Sequence, residues 1–475
     1  MSSDLENLLN LVRSRVTPTP QDRRRLENLA EKLMARLEAQ LASMGLEAEV
    51  RLEGSIAKDT WLRGDADIDI FMLIPEDVPR DRLSKDYLEA ARRVVEEFKV
   101  VERFAEHPYV EAWVNPRLRV NLVPCYKVTP PNWKSATDRT PYHTEYVKAR
   151  LGGKGRSEVR ILKRFMKGVG VYGSDIKTGG FSGYLTELLI LAYGSFIEVL
   201  KEASRWRPGV IIDLEGYYGG REREARILFE NHCLIVVDPV DKSRNAASPV
   251  REEVFHWFKA SASHFLEKPS LKFFYPPKPR PPTPSRLKQV LKKRGTDILF
   301  LRLKGVNAVP DILWGQLYKT EKALVRLMKA EGFNVLRSAS WSDEEENSVM
   351  LFELEQAFTG EVVKHYGPPV GSKEEGRFLA KHLNSPRTVA GPYIEGGRWT
   401  VLLHRKYADV RALLREKLKD GGRNVGVASR IAASIKSRGF NLWLNGEILS
   451  FYRENRGFKA FLAQFLRGKP VWLEG

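Results

Sequence analysis

The sequence predicts an α+β protein of about three domains, with a mixed β-sheet first, a helical middle domain and a ferredoxin-like α/β region last. Its 475 residues exceed the roughly 250–300 at which a single core stops growing. Strand and helix periodicities alternate in the first 150 residues and again after residue 295, whereas helical periodicity prevails between them. We therefore expect domains at 1–152, 153–270 and 271–475.

Composition places the chain among ordinary globular proteins. Hydrophobic residues make up 43% and charged residues 29%, which excludes a disordered or fibrous chain. The apolar run 181–197 is shorter than the roughly 20 residues a bilayer requires and contains Glu187, so we interpret it as a buried helix. The start lacks a signal-peptide pattern, and Cys125 and Cys233 form no spaced motif. We expect a cytoplasmic, reduced protein.

Positive charge is concentrated in two segments. The net charge is +18, and segment 267–304 holds 11 basic and 2 acidic residues, while segment 371–475 holds 20 basic and 9 acidic residues. The remaining chain is slightly acidic. A segregated positive field of this kind suits a polyanion such as nucleic acid, although charge alone also fits a lysine-rich solvated surface.

The first domain is predicted to alternate helices and strands around a hairpin. Apolar side chains at helical spacing predict the first helix, and alternation of apolar and polar residues predicts the first strand. The predicted elements are a helix over 20–44 that stops at Gly45, strands over 49–53 and 67–74, a helix from a capping Ser84 to Phe98, and hairpin strands over 109–114 and 118–123.

The rest of the chain is predicted as a helical part, a stiff connector and an α/β part. Five prolines over 276–282 cannot join a helix or a sheet interior, so 275–284 marks a domain boundary. After it the order β-α-β-β is compatible with a ferredoxin-like sheet. The predicted elements are helices over 158–168, 181–201 and 254–265, then strand 296–304, helix 312–331, strands 333–340, 347–356 and 398–403, and helices near 409–419 and 427–437.

The chemically informative stretch is GSIAKDTWLRGDADIDIF, residues 54–71. A strand that runs into Gly54-Ser55 and then a helical turn exposes unpaired amides where a phosphate can bind without a Cβ in the way. Ser55 adds a hydroxyl, and Lys58 adds a positive charge one turn later. These residues predict a phosphate-binding turn.

Two carboxylates follow on the returning strand. Asp67 and Asp69 are two residues apart and point to one face, while Ile68 and Ile70 point to the other. Neighbouring carboxylates repel each other, and a pair of Mg²⁺ ions would satisfy them and hold both the attacking and the leaving oxygen of a phosphoryl displacement. Alone, Asp-x-Asp also fits a polar strand face or a turn.

The combined order of strand, Gly-Ser, helical turn, Leu-Arg-Gly and Asp-Ile-Asp strand resembles the nucleotidyltransferase superfamily that includes DNA polymerase β, poly(A) polymerases and CCA-adding enzymes. The resemblance implies a nucleotidyltransferase palm with a third carboxylate on a neighbouring strand. The run RVNLVPCY, residues 119–126, looks like that strand, with Asn121 at the carboxylate position. An amide oxygen can bind Mg²⁺ but brings no charge and accepts no proton.

A neighbouring acid is a candidate for the missing charge. If loop 115–117 sets the hairpin register, Val114 faces Leu118 and Glu111 faces Asn121 on the same side of the sheet. We hypothesise that Glu111 supplies the missing charge. An inert edge glutamate and a chain altered at position 121 are the alternatives.

A basic helix face in the middle domain is a candidate for binding a triphosphate. Arg160, Lys163, Arg164 and Lys167 share one face of the predicted helix that starts at Glu158. One or more of them could neutralise a triphosphate, although a basic helix face is more often simply solvated.

Over nearly the whole chain the sequence resembles the archaeal (class I) CCA-adding enzymes, the tRNA nucleotidyltransferases that build the 3′-terminal CCA. The resemblance implies that Ser55, Lys58, His143, Lys163 and Tyr172 contact CTP or ATP, that Asp67 and Asp69 hold Mg²⁺, and that Arg244 helps to read the base. Besides 54–71 it rests on AEHPYV (105–110), LVPCYKV (122–128), SATDRTPYH (135–143), EVRILKRFMKGVGVYG (158–173), GGFSGYLTELLI (179–190) and VDPVDKSRNAA (237–247).

The same resemblance implies a function and its partners. The family adds CCA to tRNA without a template, from CTP and ATP, with Mg²⁺, and its body and tail grip the acceptor stem and elbow of tRNA. A homodimer is a possible assembly. Two alternatives stay open: a poly(A) polymerase-like enzyme that adds many A residues and uses CTP poorly, and a catalytically impaired tRNA-binding protein, which Asn121 would explain.

Overall fold

The computed structural model describes residues 3–104, 108–116, 118–278 and 280–473. The described residues of Met1–Pro277 and Pro470–Gly475 form one compact unit, and those of Lys278–Lys469 form another. The division falls inside the predicted proline-rich connector. The boundary predicted at 152/153 stays a prediction, and residues 105–107 of the AEHPYV motif and residue 117 of the hairpin loop lie outside the described residues.

The first unit contains a mixed sheet, as predicted, but it has five strands, and the strand over Lys99–Phe104 was not predicted. Its strand order is β1-β2-β5-β4-β3, and β2 and β5 are parallel while the other neighbours are antiparallel. A π-helical turn over Leu83–Tyr87 joins α4 to α5. The strands are β1 Glu49–Glu53, β2 Ala66–Ile74, β3 Lys99–Phe104, β4 Pro108–Asn115 and β5 Leu118–Tyr126, and the helices are α1 Ser3–Val16, α2 Pro20–Ser43, α3 Gly54–Ala57, α4 Arg80–Arg82 and α5 Leu88–Val94.

Burial of one sheet face fixes which side chains β2 presents on the other. Ile68 and Ile70 are fully buried in a core that α2 and α5 share, with Leu33 and Leu37 from α2 and Ala91 from α5. Because side chains alternate along a strand, this packing directs the intervening residues of β2 to the opposite face. The hydrophobic core thus sets the direction of the acidic pair.

The prediction that Ser84 caps the next helix is wrong. The helical segment begins at Arg80, and the Ser84 hydroxyl donates hydrogen bonds inside it to the carbonyls of Arg80 and Asp81. The buried side chain of Leu83, one residue before the predicted start, already packs in the core, so the helical segment extends toward its N-terminus.

The hairpin register is confirmed at the functional position and wrong near the turn. Glu111 pairs with Asn121, as predicted. The register shifts between Trp113 and Asn115, so Leu118 pairs with Asn115 and not with Val114. A bulge of this kind leaves one residue without a partner and bends the strand locally.

The remainder of the first unit is mostly helical but contains an unpredicted three-stranded sheet. The predicted helix 181–201 is two helices, because Gly194 (φ 83°) ends the first and Ser195 caps the second. No single described helix is long and apolar enough to cross a membrane. These two helices reach that length and apolar content only when taken together, and they are bent by 93° relative to each other. The elements are α6 Thr140–Arg150, α7 Gly153–Val169, α8 Gly183–Tyr193, α9 Phe196–Arg205, β6 Val210–Asp213, α10 Glu222–Leu228, β7 Leu234–Asp238, β8 Asp241–Asn245 and α11 Glu252–Glu267.

The second unit contains the predicted ferredoxin-like sheet. Its order is β10-β11-β9-β15 with all neighbours antiparallel, and α13 and α16 supply the two helices of the split β-α-β pattern. A separate sheet of order β12-β14-β13 is inserted between β11 and α16. The elements are α12 Pro284–Lys293, β9 Asp297–Lys304, α13 Pro310–Ala330, β10 Val335–Ser342, β11 Asn347–Leu354, β12 Val362–Pro369, α14 Glu375–His382, β13 Thr388–Glu395, β14 Arg398–His404, α15 Val410–Leu418, α16 Ser429–Arg438, β15 Phe440–Leu444, α17 Leu449–Glu454 and α18 Arg456–Arg467.

Candidate active site

The face of the first sheet opposite the core shared with α2 and α5 carries the predicted acidic pair. Parallel pairing of β2 with β5 puts Asp67 beside Arg119 and Asp69 beside Asn121. Arg119 Nε and Nη2 donate to the two carboxylate oxygens of Asp67, at 2.9 and 2.5 Å. Asn121 Nδ2 donates to Asp69 Oδ1 at 2.8 Å. Both carboxylates therefore point to one face, next to the predicted third position.

Asp69 lies against the backbone of the glycine turn. Gly54 has φ 69°, and a Cβ there would be 2.0 Å from Asp69 Oδ2, so only glycine permits this approach. Ser55 follows in the same turn, where its carbonyl accepts the Thr60 amide. Burial, together with the nearby charge of Asp67, raises the pKa of Asp69 to about 6. The position of the Asp69 carboxylate therefore depends on the glycine turn.

Replacing Gly54 with alanine tests this close approach. We expect Gly54→Ala to lower the rate of nucleotidyl transfer about a hundredfold, because it displaces Asp69 by an ångström or more. Gly45→Ala is the matched control, since Gly45 also has positive φ but a Cβ there meets no atom within 4 Å. Equal rates for the two variants at saturating substrates would contradict the expected role of the contact.

The donors on this face fit a hard divalent cation. Asp67 and Asp69 offer carboxylate oxygens, and Asn121 Oδ1 is buried without a hydrogen-bond partner among the described residues. Such oxygens are the ligands that Mg²⁺ prefers. No group of three His, Cys, Asp or Glu residues arranged to hold a metal ion occurs in the described part of the chain, so the candidate ligand set is two carboxylates and one amide.

Glu111 lies on the same face, one strand farther away. It is 4% exposed, accepts a hydrogen bond from Trp113 Nε1 at 3.2 Å and has Oε2 3.6 Å from Arg119 Nη1. Its carboxylate thus contacts the guanidinium that also binds Asp67. Arg119 was not singled out from the sequence, although its position two residues before Asn121 puts it on the same face of the strand.

Lys58 and Lys163 meet around a buried glutamate. Glu187 Oε2 is 2.5 Å from Lys58 Nζ, and its Oε1 is 3.3 Å from Lys163 Nζ and accepts the Thr60 hydroxyl at 2.5 Å. Burial lowers the pKa of Lys163 to about 8. Burial also acts to raise the pKa of Glu187, but the two lysines hold it below its usual value. Two cations and one anion leave one positive charge in excess.

Tyr172 joins this cluster at the start of α8. A Cβ on Gly183 would lie 3.0 Å from Tyr172 Oη and 3.6 Å from Lys163 Nζ, which brings both polar groups to the same glycine. Burial raises the pKa of Tyr172, so its hydroxyl stays protonated as a hydrogen-bond donor. Three of the predicted nucleotide contacts, Lys58, Lys163 and Tyr172, therefore lie together.

His143 and Arg244 meet at a second buried acid, Asp238. Its Oδ2 is 2.9 Å from His143 Nε2 and 2.5 Å from Arg244 Nη1, and its Oδ1 accepts the Tyr184 hydroxyl at 3.0 Å. Although burial opposes it, the bond with His143 and nearby charges lower the pKa of Asp238 to about 2. Burial lowers the pKa of His143, which favours a neutral imidazole that donates to the carboxylate.

Tyr184 connects the two clusters. Its ring stacks on His143 with centroids 3.9 Å apart, and Lys58 Nζ lies 5.7 Å from the Tyr184 centroid. Neither Tyr184 nor the organising role of Glu187 and Asp238 was identified from the sequence. A glutamate inside an apolar run was the available signal for Glu187, because a buried carboxylate needs buried cations.

The other basic residues of α7 form their hydrogen bonds outside this cluster, although Lys167 Nζ also lies 4.9 Å from the centre of the Tyr172 ring. Arg160 binds Asp59 at 2.6 Å and the Trp61 carbonyl at 3.0 Å. Lys167 binds Asp65 at 2.6 Å, and Arg164 lies over the Tyr275 ring. Of the four basic residues on the predicted helix face, the structure brings Lys163 into the cluster with Lys58.

Three family models together match most of the chain. The model described as "Nucleotidyltransferase domain" matches residues 34–143, "tRNA nucleotidyltransferase, second domain" matches 157–275, and "CCA-adding enzyme, C-terminal domain" matches 294–445. The first match contains Asp67, Asp69 and Asn121, and the second contains Lys163, Tyr172 and Arg244. The matches follow one another in the order of the predicted regions.

Proteins named CCA-adding enzyme are similar over nearly their full length. That of Methanothermobacter thermautotrophicus is 36% identical over 471 residues, which cover 98% of this chain and 98% of that protein. That of Methanopyrus kandleri is 38% identical and covers 98% of each chain. That of Haloarcula marismortui is 34% identical and covers 99% of this chain and 100% of its own.

Proposed function

Because the chain belongs to the CCA-adding enzyme family, we propose that it completes tRNA by adding C, C and A to the 3′ end from CTP and ATP without a template. The observation that carries this proposal is the Asp67–Asp69 pair beside Asn121, on the sheet face next to the glycine turn. In the reaction the 3′-hydroxyl oxygen loses its proton to water and bonds to the α-phosphorus, while the bond between the α-phosphorus and the oxygen that bridges to the β-phosphorus breaks and pyrophosphate leaves.

Mg²⁺ is the proposed ion, and Asp67, Asp69 and Asn121 are its proposed ligands. Two such ions are proposed: one would lower the pKa of the 3′-hydroxyl, and the second would neutralise charge on the departing pyrophosphate. Asp67 and Asp69 contribute negative charge, whereas Asn121 contributes only an oxygen dipole. The chain therefore performs the reaction mainly by positioning and electrostatics.

The triphosphate is proposed to bind between the glycine turn and the lysine cluster. Ser55 and the turn amides would donate to phosphate oxygens. Lys58 and Lys163, with one positive charge in excess over Glu187, would balance the phosphate charge. The protonated Tyr172 hydroxyl would donate a hydrogen bond from the same cluster.

The base is proposed to bind near His143 and Arg244. Asp238 fixes both side chains, and the Arg244 side chain remains 34% exposed, so part of its guanidinium is free to reach acceptor atoms on a base edge. His143 is held neutral and stacks on Tyr184, so its ring would present a fixed polar surface to the base. Substitutions of His143 and Arg244 would test these contacts and their part in the choice between C and A.

The basic second unit is proposed to bind the acceptor stem and elbow of tRNA. Segments 267–304 and 371–475 hold the excess positive charge, and the second unit contains most of both. Neutralisation of phosphates by such charge makes binding strongly salt-dependent. We propose the cytoplasm as its compartment; both cysteines are free in the structure.

Incubation of tRNA that lacks CCA with labelled CTP and ATP tests the proposed function. We expect three additions in the order C, C, A, and two additions when ATP is omitted. Long runs of A with poor use of CTP would instead indicate a poly(A) polymerase-like enzyme. Salt-sensitive tRNA binding with no pyrophosphate release would indicate an impaired tRNA-binding protein, the alternative that Asn121 favours.

Introducing a carboxylate at position 121 tests whether Asn121 limits the activity. In Asn121→Asp, a large gain in rate would identify residue 121 as a limiting ligand position. An unchanged rate from an already active chain would mean that another group provides the charge there.

A further inference from the structure

Arg119 occupies the acceptor atoms that a cation would use on Asp67. Its Nε and Nη2 bind both carboxylate oxygens of Asp67, in the two-point geometry that makes arginine–carboxylate pairs strong. A guanidinium keeps its charge at any pH at which proteins fold. A divalent ion would add a second positive charge at the same carboxylate, so we expect the ion and Arg119 to compete for Asp67.

A second acid is within reach of the same guanidinium. Arg119 Nη1 is 3.6 Å from Glu111 Oε2, and the guanidinium carbon lies 5.5 Å from the centre of the Trp113 ring. Glu111 is 4% exposed, and its carboxylate also accepts the Trp113 indole N–H. The guanidinium that binds Asp67 is thus already within ion-pair distance of a second carboxylate, that of Glu111.

The charges on this face favour an exchange of Arg119 from Asp67 to Glu111 when a cation binds. Without a metal ion, Asp67 and Asp69 stand two residues apart on one strand, and Arg119 is the cation that neutralises the first. When a cation replaces Arg119 at Asp67, the displaced guanidinium, whose side chain is 38% exposed, stays close to the bound cation, and a neighbouring carboxylate would offset the repulsion between them. Asn121 carries no charge and cannot be that anion, whereas the Glu111 carboxylate can.

We propose that Arg119 is an internal cation that holds Asp67 in the metal-free chain and moves to Glu111 when a divalent ion binds. Glu111 is then a positioning residue that acts through Arg119 and is not itself a ligand of the ion. The inference rests on the proposed function, because it assumes that Asp67 holds a divalent ion.

Binding of Mn²⁺ to the full chain, measured by the paramagnetic signal of free Mn²⁺ without tRNA or nucleotide, tests the inference. We expect Arg119→Gln to tighten binding about ten- to a hundredfold, because the competing charged hydrogen bonds are gone. Arg119→Lys should also tighten binding, since it keeps the charge but loses the two-point contact. Arg36→Gln, at an exposed pair with Glu97, is the control and should change nothing.

A double-mutant cycle separates the positioning role of Glu111 from a direct ligand role. We expect Glu111→Gln to weaken Mn²⁺ binding in the natural chain and to have less than about a twofold effect in the Arg119→Gln background. Equal weakening in both backgrounds would overturn the inference and make Glu111 a ligand. Unchanged or weaker Mn²⁺ binding in Arg119→Gln, at an unchanged temperature of thermal unfolding, would overturn the inference as well.

The CCA-addition assay keeps this inference distinct from the proposed function. If the natural chain adds CCA but Arg119→Gln binds Mn²⁺ no more tightly, the inference fails and the function stands. If the natural chain adds no nucleotide under any metal condition, the proposed function itself fails.

Discussion

Replacing Asp69 with asparagine should reduce the rate of CCA addition at least about a thousandfold. The change keeps the shape of the side chain and one acceptor oxygen but removes the charge and the second acceptor, and stabilisation of transition-state charge by a bound ion amounts to several kcal/mol. Single-turnover addition of labelled CTP to tRNA lacking CCA measures the effect. Affinity for tRNA should stay unchanged, because the basic residues remain.

Stability distinguishes this loss from misfolding. Burial raises the pKa of Asp69 to about 6, so in the metal-free chain this group contributes stability below about pH 4 that is lost as the pH rises through 6. At neutral pH Asp69→Asn should therefore unfold at the same or a higher temperature than the natural chain. Asp65→Asn, at an exposed aspartate that binds Lys167, is the matched control and should keep full activity. A fully active Asp69→Asn chain would contradict the proposed role.

Replacing Glu187 with glutamine should destabilise the first unit by about 3–5 kcal/mol, because it leaves Lys58 and Lys163 buried without an anion. All three side chains are at most 7% exposed, so water cannot replace the missing charge. Urea unfolding of the full chain, followed by a probe in the first unit, measures the change. CCA addition should also slow, since the lysines are proposed to face the triphosphate.

The destabilisation caused by Glu187→Gln should become smaller as the pH rises. Burial lowers the pKa of Lys163 to about 8, so the folded chain prefers the neutral amine and gains stability as the pH rises through 8 toward 10.5. Glu187 acts to raise that pKa, so its loss lowers the pKa of Lys163 further, the variant gains this stability at a lower pH than the natural chain, and its deficit should shrink between pH 7 and pH 9. Glu198→Gln, at an exposed pair with Lys201 on α9, should cost less than about 1 kcal/mol at either pH. Equal costs for the two variants would contradict a buried charge cluster.

Local sequence pattern predicted the elements that position the acidic pair. Alternation along β2 placed Asp67 and Asp69 on one face, and the structure shows that Ile68 and Ile70 pack on the other. The pairing of Glu111 with Asn121 was also predicted correctly, because the apolar faces of two neighbouring strands fix the register. These outcomes depend on periodicity within a few residues.

Contacts between distant segments could not be predicted in the same way. Glu187 lies 129 positions from Lys58, and Asp238 lies 95 positions from His143, and no local period relates them. Arg119 is near Asn121 in sequence, but only the parallel pairing of β2 with β5 shows that its partner is Asp67. The small sheet of β6, β7 and β8 was missed because its strands are short and β7 is buried throughout, without alternation.

The most direct test of the acidic face is to locate a divalent ion on it. We expect crystals of the full chain grown with Mn²⁺ and a non-hydrolysable CTP analogue to give an anomalous-scattering peak in contact with Asp67 and Asp69, with Asn121 Oδ1 facing it. A peak in contact with neither carboxylate, at a metal concentration that supports CCA addition, would contradict the assignment of this face as the catalytic metal site.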